Sequence, residues 1–335
     1  MKAIQVAAFG PLESHGAVDL PEPEPAAGEV LVEVACCDLN YPDILVMEGN
    51  YQVKPALPFI PGKAAAGRIV GLGAAVEKKY LGQRVLVQLE HGAFAERITA
   101  PLALTHPIPK ALSYRTATAL GLVYQTAWFA LTDRGGFRAG ERVLVLGANG
   151  GVGMAAVQLA KAMGAGQVIA GARGEEKIAL ARSFGADAVI DLSAEPLKER
   201  LRAQVKEASG GAGVDIVIDP VGGDNTEAAL RALAWRGRLV VIGFAAGDIP
   251  TIRANYLLVK NIAVSGLQWS DYRDRHPGWM AKAQAEIFAH ALAGRLTPHI
   301  SRVLPLERAI EGLDLLRKGG AVGKILVTTG SGEPE

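Results

Sequence analysis

The sequence has very little cysteine, which removes several classes of protein at once. Two cysteines occur in 335 residues, and they are adjacent, at Cys36 and Cys37. Adjacent cysteines rarely bridge each other, and two of them cannot build a disulfide framework or a four-cysteine zinc lobe. We therefore expect both to be buried, reduced thiols in a cytoplasmic protein.

Net charge and long apolar runs are lacking as well. The 35 Lys and Arg residues exceed the 34 Asp and Glu residues by one, and no basic block stands out. A nucleic-acid-binding role therefore has no electrostatic basis. No apolar run approaches the roughly 18 residues that a membrane-spanning helix needs. We expect neither nucleic acid nor a membrane as a partner.

Glycine and apolar residues are abundant by contrast. Glycine accounts for 40 residues and the hydrophobic set for 50% of the chain, so a large core can form. The first 120 or so residues carry short β-like runs broken by Gly and Pro, such as the alternating run at residues 29–34. This pattern predicts a compact β-rich domain.

The pattern changes after residue 115 to repeated strand–helix pairs. We predict a helix over 117–131 and a closing strand at 323–327. Between them, buried strands are predicted at 142–146, 167–170, 188–190, 214–219, 239–242 and 262–265, with helices over 154–163, 175–184 and 225–233. Alternation of this kind indicates a doubly wound parallel sheet. We expect one discontinuous domain of 1–122 with 266–335, and a second domain of 123–265.

The strand at 142–146 leads into a glycine-rich turn that opens a helix, with glycines at 147, 150, 151 and 153. Such a turn lets backbone N–H groups and the helix dipole stabilise a pyrophosphate. We predict dinucleotide contacts from Asn149, Gly150, Gly151 and Val152. The alternative is a tight strand–helix turn without a ligand, and the surrounding strand–helix units favour nucleotide binding.

The end of the second parallel strand bears on which dinucleotide binds. An NAD site usually places Asp or Glu there for the ribose 2′-hydroxyl. Residues 169–174 offer no carboxylate, whereas Arg173 is followed one helical turn later by Lys177. Two cations suit a 2′-phosphate, so we predict NADPH as the cofactor. The alternative is a pair of solvated charges at a helix start.

Several further segments carry a family resemblance, among them residues 39–43 (LNYPD), 57–62 (LPFIPG), 219–223 (DPVGG) and 323–324 (GK). With these residues the chain resembles the medium-chain dehydrogenases/reductases, and within them the zinc-free quinone oxidoreductase (zeta-crystallin-like) branch. The resemblance implies an α/β protein with a GroES-like β-rich domain, a doubly wound Rossmann domain and a cleft between them. It also implies a homodimer, for which the strand at 262–265 could supply an edge.

The resemblance bears on zinc. Where zinc alcohol dehydrogenases carry a ligating cysteine and a Gly-His-Glu segment, this chain has Asn40 and Gly62-Lys63-Ala64. Lysine and alanine cannot replace imidazole and carboxylate around zinc, so no metal is expected. A glutamate also usually stands in the relatives where this chain has Ala64.

By resemblance, Asn40 lies near the nicotinamide and Tyr51 near the substrate, and both are candidate catalytic residues. Asn40 could instead be a turn residue, and Tyr51 a packing residue. The resemblance also implies four cofactor neighbours: Thr126, Phe244, Leu267 and Lys324. Lys63 could stabilise an oxyanion on the acceptor, or it could point to solvent.

Together these expectations describe a zinc-independent enzyme that transfers hydride from NADPH to a quinone or an α,β-unsaturated carbonyl compound. One alternative is an enoyl-CoA (acryloyl-type) reductase, whose substrate phosphates could meet Arg253, Arg273 and Arg275. Another is a non-catalytic NADPH-binding protein.

Overall fold

The computed structural model describes residues 1–330, which form two compact units. The β-rich unit contains residues 1–122, 270–292 and the chain from 298 onward, and the parallel-sheet unit contains residues 123–269 and 293–297. The domain limits predicted from the sequence remain predictions, and residues 331–335 of the first predicted domain lie outside the described residues.

The sheets of the β-rich unit consist mainly of short strands. Its strands are β1 (Lys2–Gln5), β2 (Gly16–Asp19), β3 (Glu29–Leu39), β4 (Ala64–Leu72), β5 (Arg84–Gln88), β6 (Arg97–Pro101), β7 (Thr105–Pro107), β14 (Ile300–Pro305) and β15 (Lys324–Thr328). Its helices are α1 (Tyr41–Met47), α2 (Tyr114–Ala119), α9 (Trp269–Arg275, with Trp269 in the other unit), α10 (Pro277–Leu292) and α11 (Ala309–Arg317).

The main sheet of the β-rich unit has the order β14-β15-β3-β4-β5-β7, and β6 also pairs with β3. β15 is parallel to β14 and antiparallel to β3, so the late strand lies between β14 and an early strand. β3 extends beyond the predicted run of residues 29–34. The alternating pattern ended early in the sequence because a bulge between Val34 and Cys36 shifts which side chains face the core. Both cysteines are buried free thiols on this strand, as predicted.

The parallel-sheet unit alternates strands and helices. Its strands are β8 (Arg142–Val145), β9 (Gln167–Ala172), β10 (Ala188–Asp191), β11 (Val214–Asp219), β12 (Leu233–Val241) and β13 (Ala263–Gly266). Its helices are α3 (Leu122–Phe129), α4 (Gly151–Ala162), α5 (Glu175–Ser183), α6 (Leu197–Ala208), α7 (Asp224–Ala232) and α8 (Ala254–Lys260).

The six strands of this unit are parallel and follow the order β10-β9-β8-β11-β12-β13. This is the doubly wound arrangement, so the predicted fold class is confirmed. The strand order reverses between β8 and β11, and in open α/β sheets ligands bind outside the carboxyl ends of the strands at such a point. The fold thus directs attention to the turn after β8.

Two sequence predictions about elements were wrong. The single helix over 117–131 is two helices, because the Gly121 N–H donates to the carbonyl of Thr118, only three residues back, and α2 ends there. β12 begins at Leu233 rather than at 239. Its first half escaped prediction because Arg236, with a φ of 64°, interrupts the alternating pattern. Only its apolar second half is visible in the sequence.

Among residues 1–330, no helix combines the length and the apolar character that crossing a membrane requires.

Candidate functional site

The turn after β8 is shaped by close backbone packing. Gly147 adopts a φ of 59°, a conformation that other residues rarely take. A Cβ atom on Gly153 would lie 2.2 Å from the Gly147 carbonyl oxygen, so no other residue fits there. The Ala148 N–H donates to the carbonyl of Gly171 in β9 at 3.0 Å and ties the turn to the neighbouring strand. The glycine spacing therefore reflects real steric limits.

Helix α4 starts directly after this turn, with Gly150 as its N-cap. The Met154 N–H donates to the Gly150 carbonyl at 2.9 Å. The N–H groups before Met154 belong to the first helical turn, which an α-helix leaves without intrahelical acceptors. Together with the helix dipole they form a site that favours an anion such as a pyrophosphate. The residues present fit a dinucleotide here.

Four positions among the predicted cofactor residues follow the carboxyl ends of parallel strands. Asn149 follows β8, Arg173 follows β9, Phe244 follows β12 and Leu267 follows β13. Because parallel strands end at one edge of their sheet, the fold brings these positions to the same edge. Thr126 is different, since it is buried within α3. The contacts of all these residues with a cofactor remain predictions.

Arg173 is exposed at the tip of β9, and Lys177 is half-buried in the first turn of α5. The structure adds a carboxylate that the sequence did not point to. Hydrogen bonds from Ser193 lower the pKa of Asp191, and Arg173 contributes to the same shift. Asp191 ends β10, the strand beside β9, so only the sheet order reveals that it lies within electrostatic reach of Arg173.

In the β-rich unit, Asn40 is buried and serves as the N-cap of α1. Its backbone N–H donates to the Asp43 carboxylate at 2.8 Å, and its side-chain oxygen accepts from the Lys324 ammonium at 2.6 Å. Asn40 thus has extended backbone at the start of a helix, and its side chain is also held in place. Lys324, predicted as a cofactor neighbour, is itself buried against Asn40.

Lys63 does not point to solvent, so that alternative was wrong. Its side chain is 2% exposed, and its ammonium lies 2.6 Å from a Glu90 carboxylate oxygen. The same nitrogen donates to the Glu90 carbonyl at 3.0 Å and lies 5.0 Å from the centre of the Tyr51 ring. Burial of this charge is possible because Glu90 neutralises it.

Glu90 is the residue that sequence reasoning missed. Its second carboxylate oxygen accepts from Ser270 at 2.6 Å and from Arg273 at 2.7 Å. Although burial opposes it, the Lys63 charge and these hydrogen bonds hold the pKa of Glu90 below its usual value. The Arg273 side chain is 5% exposed, so it does not form the solvent-facing phosphate site imagined for a CoA substrate.

Tyr51 and Asp43 lie within electrostatic reach of each other and have raised pKa values. Burial, with Glu90 and Asp43 adding to it, raises the pKa of Tyr51 to about 12, so its hydroxyl stays protonated. Burial also raises the pKa of Asp43 to about 7, although the Lys63 charge opposes the shift. The cluster therefore combines a hydroxyl donor, a protonated lysine and a carboxyl group that titrates near neutrality.

The described part of the chain contains no group of three or more His, Cys, Asp or Glu side chains arranged to hold a metal ion. At the positions that resemble the ligands of zinc alcohol dehydrogenases, Asn40 accepts from an ammonium and Lys63 is bound to Glu90.

A β-rich unit and a doubly wound dinucleotide-binding unit in one chain define the two-domain dehydrogenases and reductases. Two family models match accordingly: "Alcohol dehydrogenase GroES-like domain" over residues 26–110 and "Zinc-binding dehydrogenase" over residues 151–284. The chain belongs to the medium-chain dehydrogenase/reductase superfamily, in its quinone oxidoreductase family.

Individual relatives agree with this assignment. The chain is 37% identical to "Quinone oxidoreductase-like protein 2" of Bos taurus over 300 residues. The aligned region covers 90% of this chain and 85% of the relative. It is 32% identical to "Quinone oxidoreductase" of Rattus norvegicus, over 98% of this chain and 97% of that protein. The crystal structure of Escherichia coli quinone oxidoreductase complexed with NADPH superposes with a TM-score of 0.88 at 28% identity, covering 98% and 100% of the two chains.

Asp43→Asn should remove a pH-dependent loss of stability. Because folding raises the pKa of Asp43 to about 7 from 3.8, the folded state binds this proton more tightly than the unfolded chain does. The resulting stabilisation is complete below pH 4 and is lost as the pH rises through 7. We expect the variant to match the wild type near pH 4 and to exceed it above pH 8, with a difference that grows by roughly 1.4 kcal/mol per pH unit between the two pKa values.

Urea unfolding across this pH range measures the difference between the two proteins. Asp191→Asn is the matched control, because folding lowers the pKa of Asp191 and its replacement should have the opposite sign. A wild-type-minus-variant difference that stays constant from pH 4 to 8 contradicts the prediction for Asp43.

Proposed function

We propose that this protein is an NADPH-dependent oxidoreductase that reduces a quinone or another α,β-unsaturated carbonyl compound. The observation that carries the proposal is the glycine turn after β8, with Arg173 at the tip of β9 where an NAD site would place a carboxylate. The names of the relatives, and the NADPH complex of the Escherichia coli protein, support the same assignment.

In this proposal the cofactor's pyrophosphate binds at the start of α4, and the 2′-phosphate binds Arg173 with help from Lys177. NADPH, when bound, supplies the hydride. The polypeptide binds and orients the cofactor and stabilises the charge that forms on the acceptor. Asn40 is proposed to contact the nicotinamide.

Hydride addition to a quinone or enone leaves negative charge on the carbonyl oxygen. The Tyr51 hydroxyl stays protonated, so it can donate a hydrogen bond to that oxygen. Lys63 and Arg273 both pair with Glu90, and Arg273 also pairs with Asp274, so two cations are matched by two carboxylates. The Lys63 ammonium, 5.0 Å from the centre of the Tyr51 ring, is the nearby cation that stabilises an oxyanion beside Tyr51.

The same groups support a reaction without zinc. The Lys63 ammonium has no lone pair to give a metal while it is bound to Glu90. A quinone or enone is already activated by conjugation, so a Lewis acid is not needed to prepare it for hydride. We also propose a cytoplasmic location, because both cysteines are buried free thiols on one strand.

We further propose a homodimer formed through the edge of the parallel sheet. Strand β13 ends the sheet order and pairs only with β12 in the described chain. Near it, Trp235, Leu258 and Val259 are 73 to 79% exposed, and Arg236, beside Trp235, is bonded to Asn261 at the end of α8. An open strand edge flanked by exposed apolar side chains fits a second copy of the chain.

The purified protein should oxidise NADPH with small quinones and enones, and NADH much more weakly. Absorbance at the nicotinamide band measures the rate for quinones, enones and enoyl-CoA thioesters. Arg173→Ala should weaken NADPH binding about 10- to 100-fold and leave NADH binding unchanged, since only NADPH carries the 2′-phosphate.

Arg182→Ala is the control for that variant, because it removes the same charge from the other end of α5. Equal losses for both cofactors in Arg173→Ala would argue against a 2′-phosphate contact. Faster turnover of enoyl-CoA than of any quinone would favour the enoyl-CoA reductase, and tight NADPH binding without turnover of any acceptor would indicate a non-catalytic role.

Lys63→Met should lower turnover with a quinone about 10- to 100-fold while the dissociation constant for NADPH stays the same, because the lost charge faces the acceptor. Stopped-flow reduction and cofactor titration measure the two quantities. Lys260→Met is the control, since it removes a partly buried ammonium bonded to helix-end carbonyls in the other unit. Unchanged turnover in Lys63→Met ends the electrostatic role.

Leu258→Glu and Val259→Glu together should convert the protein from dimer to monomer, because two buried carboxylates cost more than the edge contact supplies. Light scattering coupled to size exclusion reports the mass. Leu81→Glu, which changes an exposed apolar residue of the β-rich unit, should leave the mass unaltered. A wild-type monomer at all concentrations would refute the dimer.

A further inference from the structure

A second buried ion pair lies beside Asn40. Asp38 is fully buried, Lys324 is 2% exposed, and the Lys324 ammonium lies 2.7 Å from an Asp38 carboxylate oxygen. The same ammonium donates to the side-chain oxygen of Asn40 at 2.6 Å and to the Leu39 carbonyl at 3.2 Å. Three oxygen atoms thus surround one ammonium, which has three protons to give.

This contact fixes the orientation of the Asn40 amide. An ammonium can only donate, so the atom that faces Lys324 must be the amide oxygen. The amide nitrogen then faces the other way, and it makes one 3.3 Å hydrogen bond to the Asp38 carbonyl. An amide nitrogen has two protons, so the group that Asn40 offers to a ligand is an N–H donor.

We propose that Asp38 and Lys324 are positioning residues that hold the Asn40 amide as a hydrogen-bond donor toward the nicotinamide or the acceptor carbonyl. This inference rests on the proposed function, in which Asn40 meets the cofactor. Asp38 acts through Lys324: it supplies the counter-charge that lets a protonated lysine remain buried against Asn40. Without that carboxylate the amide loses the partner that sets its direction.

The sheet register shows that a carboxylate at position 64 of β4 could replace Asp38 as the partner of Lys324. Cys37 pairs with Ala65, so the next position places Asp38 beside Ala64 across β3 and β4, and Ala64 pairs with Gln88 of β5. The Asp38 carboxylate has no hydrogen-bond partner besides its ion pair, and the buried Gln88 amide has none within the described chain. The small methyl group of Ala64 lies between these two polar groups.

A longer side chain at position 64 can therefore take over from Asp38. Strands lie about 4.8 Å apart, and β3 lies between β4 and β15, so two interstrand spacings place Ala64 roughly 10 Å from β15. An extended glutamate and lysine together span that distance. The carboxylate is the required element, and in this chain Asp38 of β3 supplies it.

The experiment moves the carboxylate from one strand to the next. Asp38→Ala should lower the thermal midpoint of the cofactor-free protein by several degrees and reduce kcat with NADPH and a quinone at least 10-fold, without a matching rise in the dissociation constant for NADPH. The double variant with Asp38→Ala and Ala64→Glu should recover the thermal midpoint. Its kcat should return to within about threefold of the wild-type value. The matched double variant with Ala64→Gln has the same size without the charge and should recover neither.

Two more variants keep the outcome clear. Asp38→Asn preserves shape if Asp38→Ala fails to fold, and it should show the same loss of kcat. Asn40→Asp keeps an oxygen acceptor for Lys324 but removes the amide donor, so it should retain the thermal midpoint and lose kcat. Wild-type kcat in Asp38→Asn, or recovery of the midpoint without kcat in the glutamate double variant, overturns the positioning role.

The design separates this inference from the proposed function. If the wild-type protein fails to oxidise NADPH with any acceptor tested, the proposed function fails, and the positioning role in catalysis fails with it. The unfolding series in the cofactor-free protein still decides whether a carboxylate at 38 or 64 is what stabilises buried Lys324. If the wild type turns over normally while the variant series shows no rescue, only the positioning inference is refuted.

Discussion

Two lysines buried in the β-rich unit impose the constraint on which its polar residues depend. A buried ammonium is tolerated only when a carboxylate and further acceptors surround it. Lys63 has Glu90, and Lys324 has Asp38. Each lysine also contacts one residue of catalytic interest: the first faces the ring of Tyr51, and the second holds the amide of Asn40. Charge neutralisation and site geometry are therefore the same requirement in this unit.

The parallel-sheet unit reaches its geometry by different means. Its turn after β8 relies on backbone atoms and on the absence of side chains, as at Gly153, rather than on paired charges. Its sheet order brings the ends of β8, β9, β12 and β13 to one edge, where backbone hydrogen bonds such as that from Ala148 to Gly171 tie neighbouring strand ends together. The charged residue predicted to bind the cofactor at this edge is Arg173, which is exposed and has Asp191 within electrostatic reach.

Local patterns predicted what local physics determines. The glycine turn, the buried parallel strands and the placement of Arg173 all follow from a few consecutive residues. The ion pair of Lys63 with Glu90 does not, since the partners are 27 residues apart on different segments and nothing in either stretch indicates the other. Its prediction needed the register of β4 and β5, which depends on long-range strand pairing. The prediction of one continuous helix over 117–131 failed for a more local reason. A glycine such as Gly121 can occur inside a helix, but here the helix ends beside it.

The position of β15 between β14 and β3 has a consequence for how the chain matures on the ribosome. Asn40 and Lys324 are 284 residues apart, so an early strand must wait for one of the last to be synthesised. The parallel strands, confined to residues 142–266, can associate long before that. The parallel-sheet unit can thus fold first. Until β15 is synthesised, the N-terminal part of the chain has an unpaired edge on β3, and Asp38 lacks its Lys324 partner. Nascent chains of this topology are exposed to misassociation for most of their translation time.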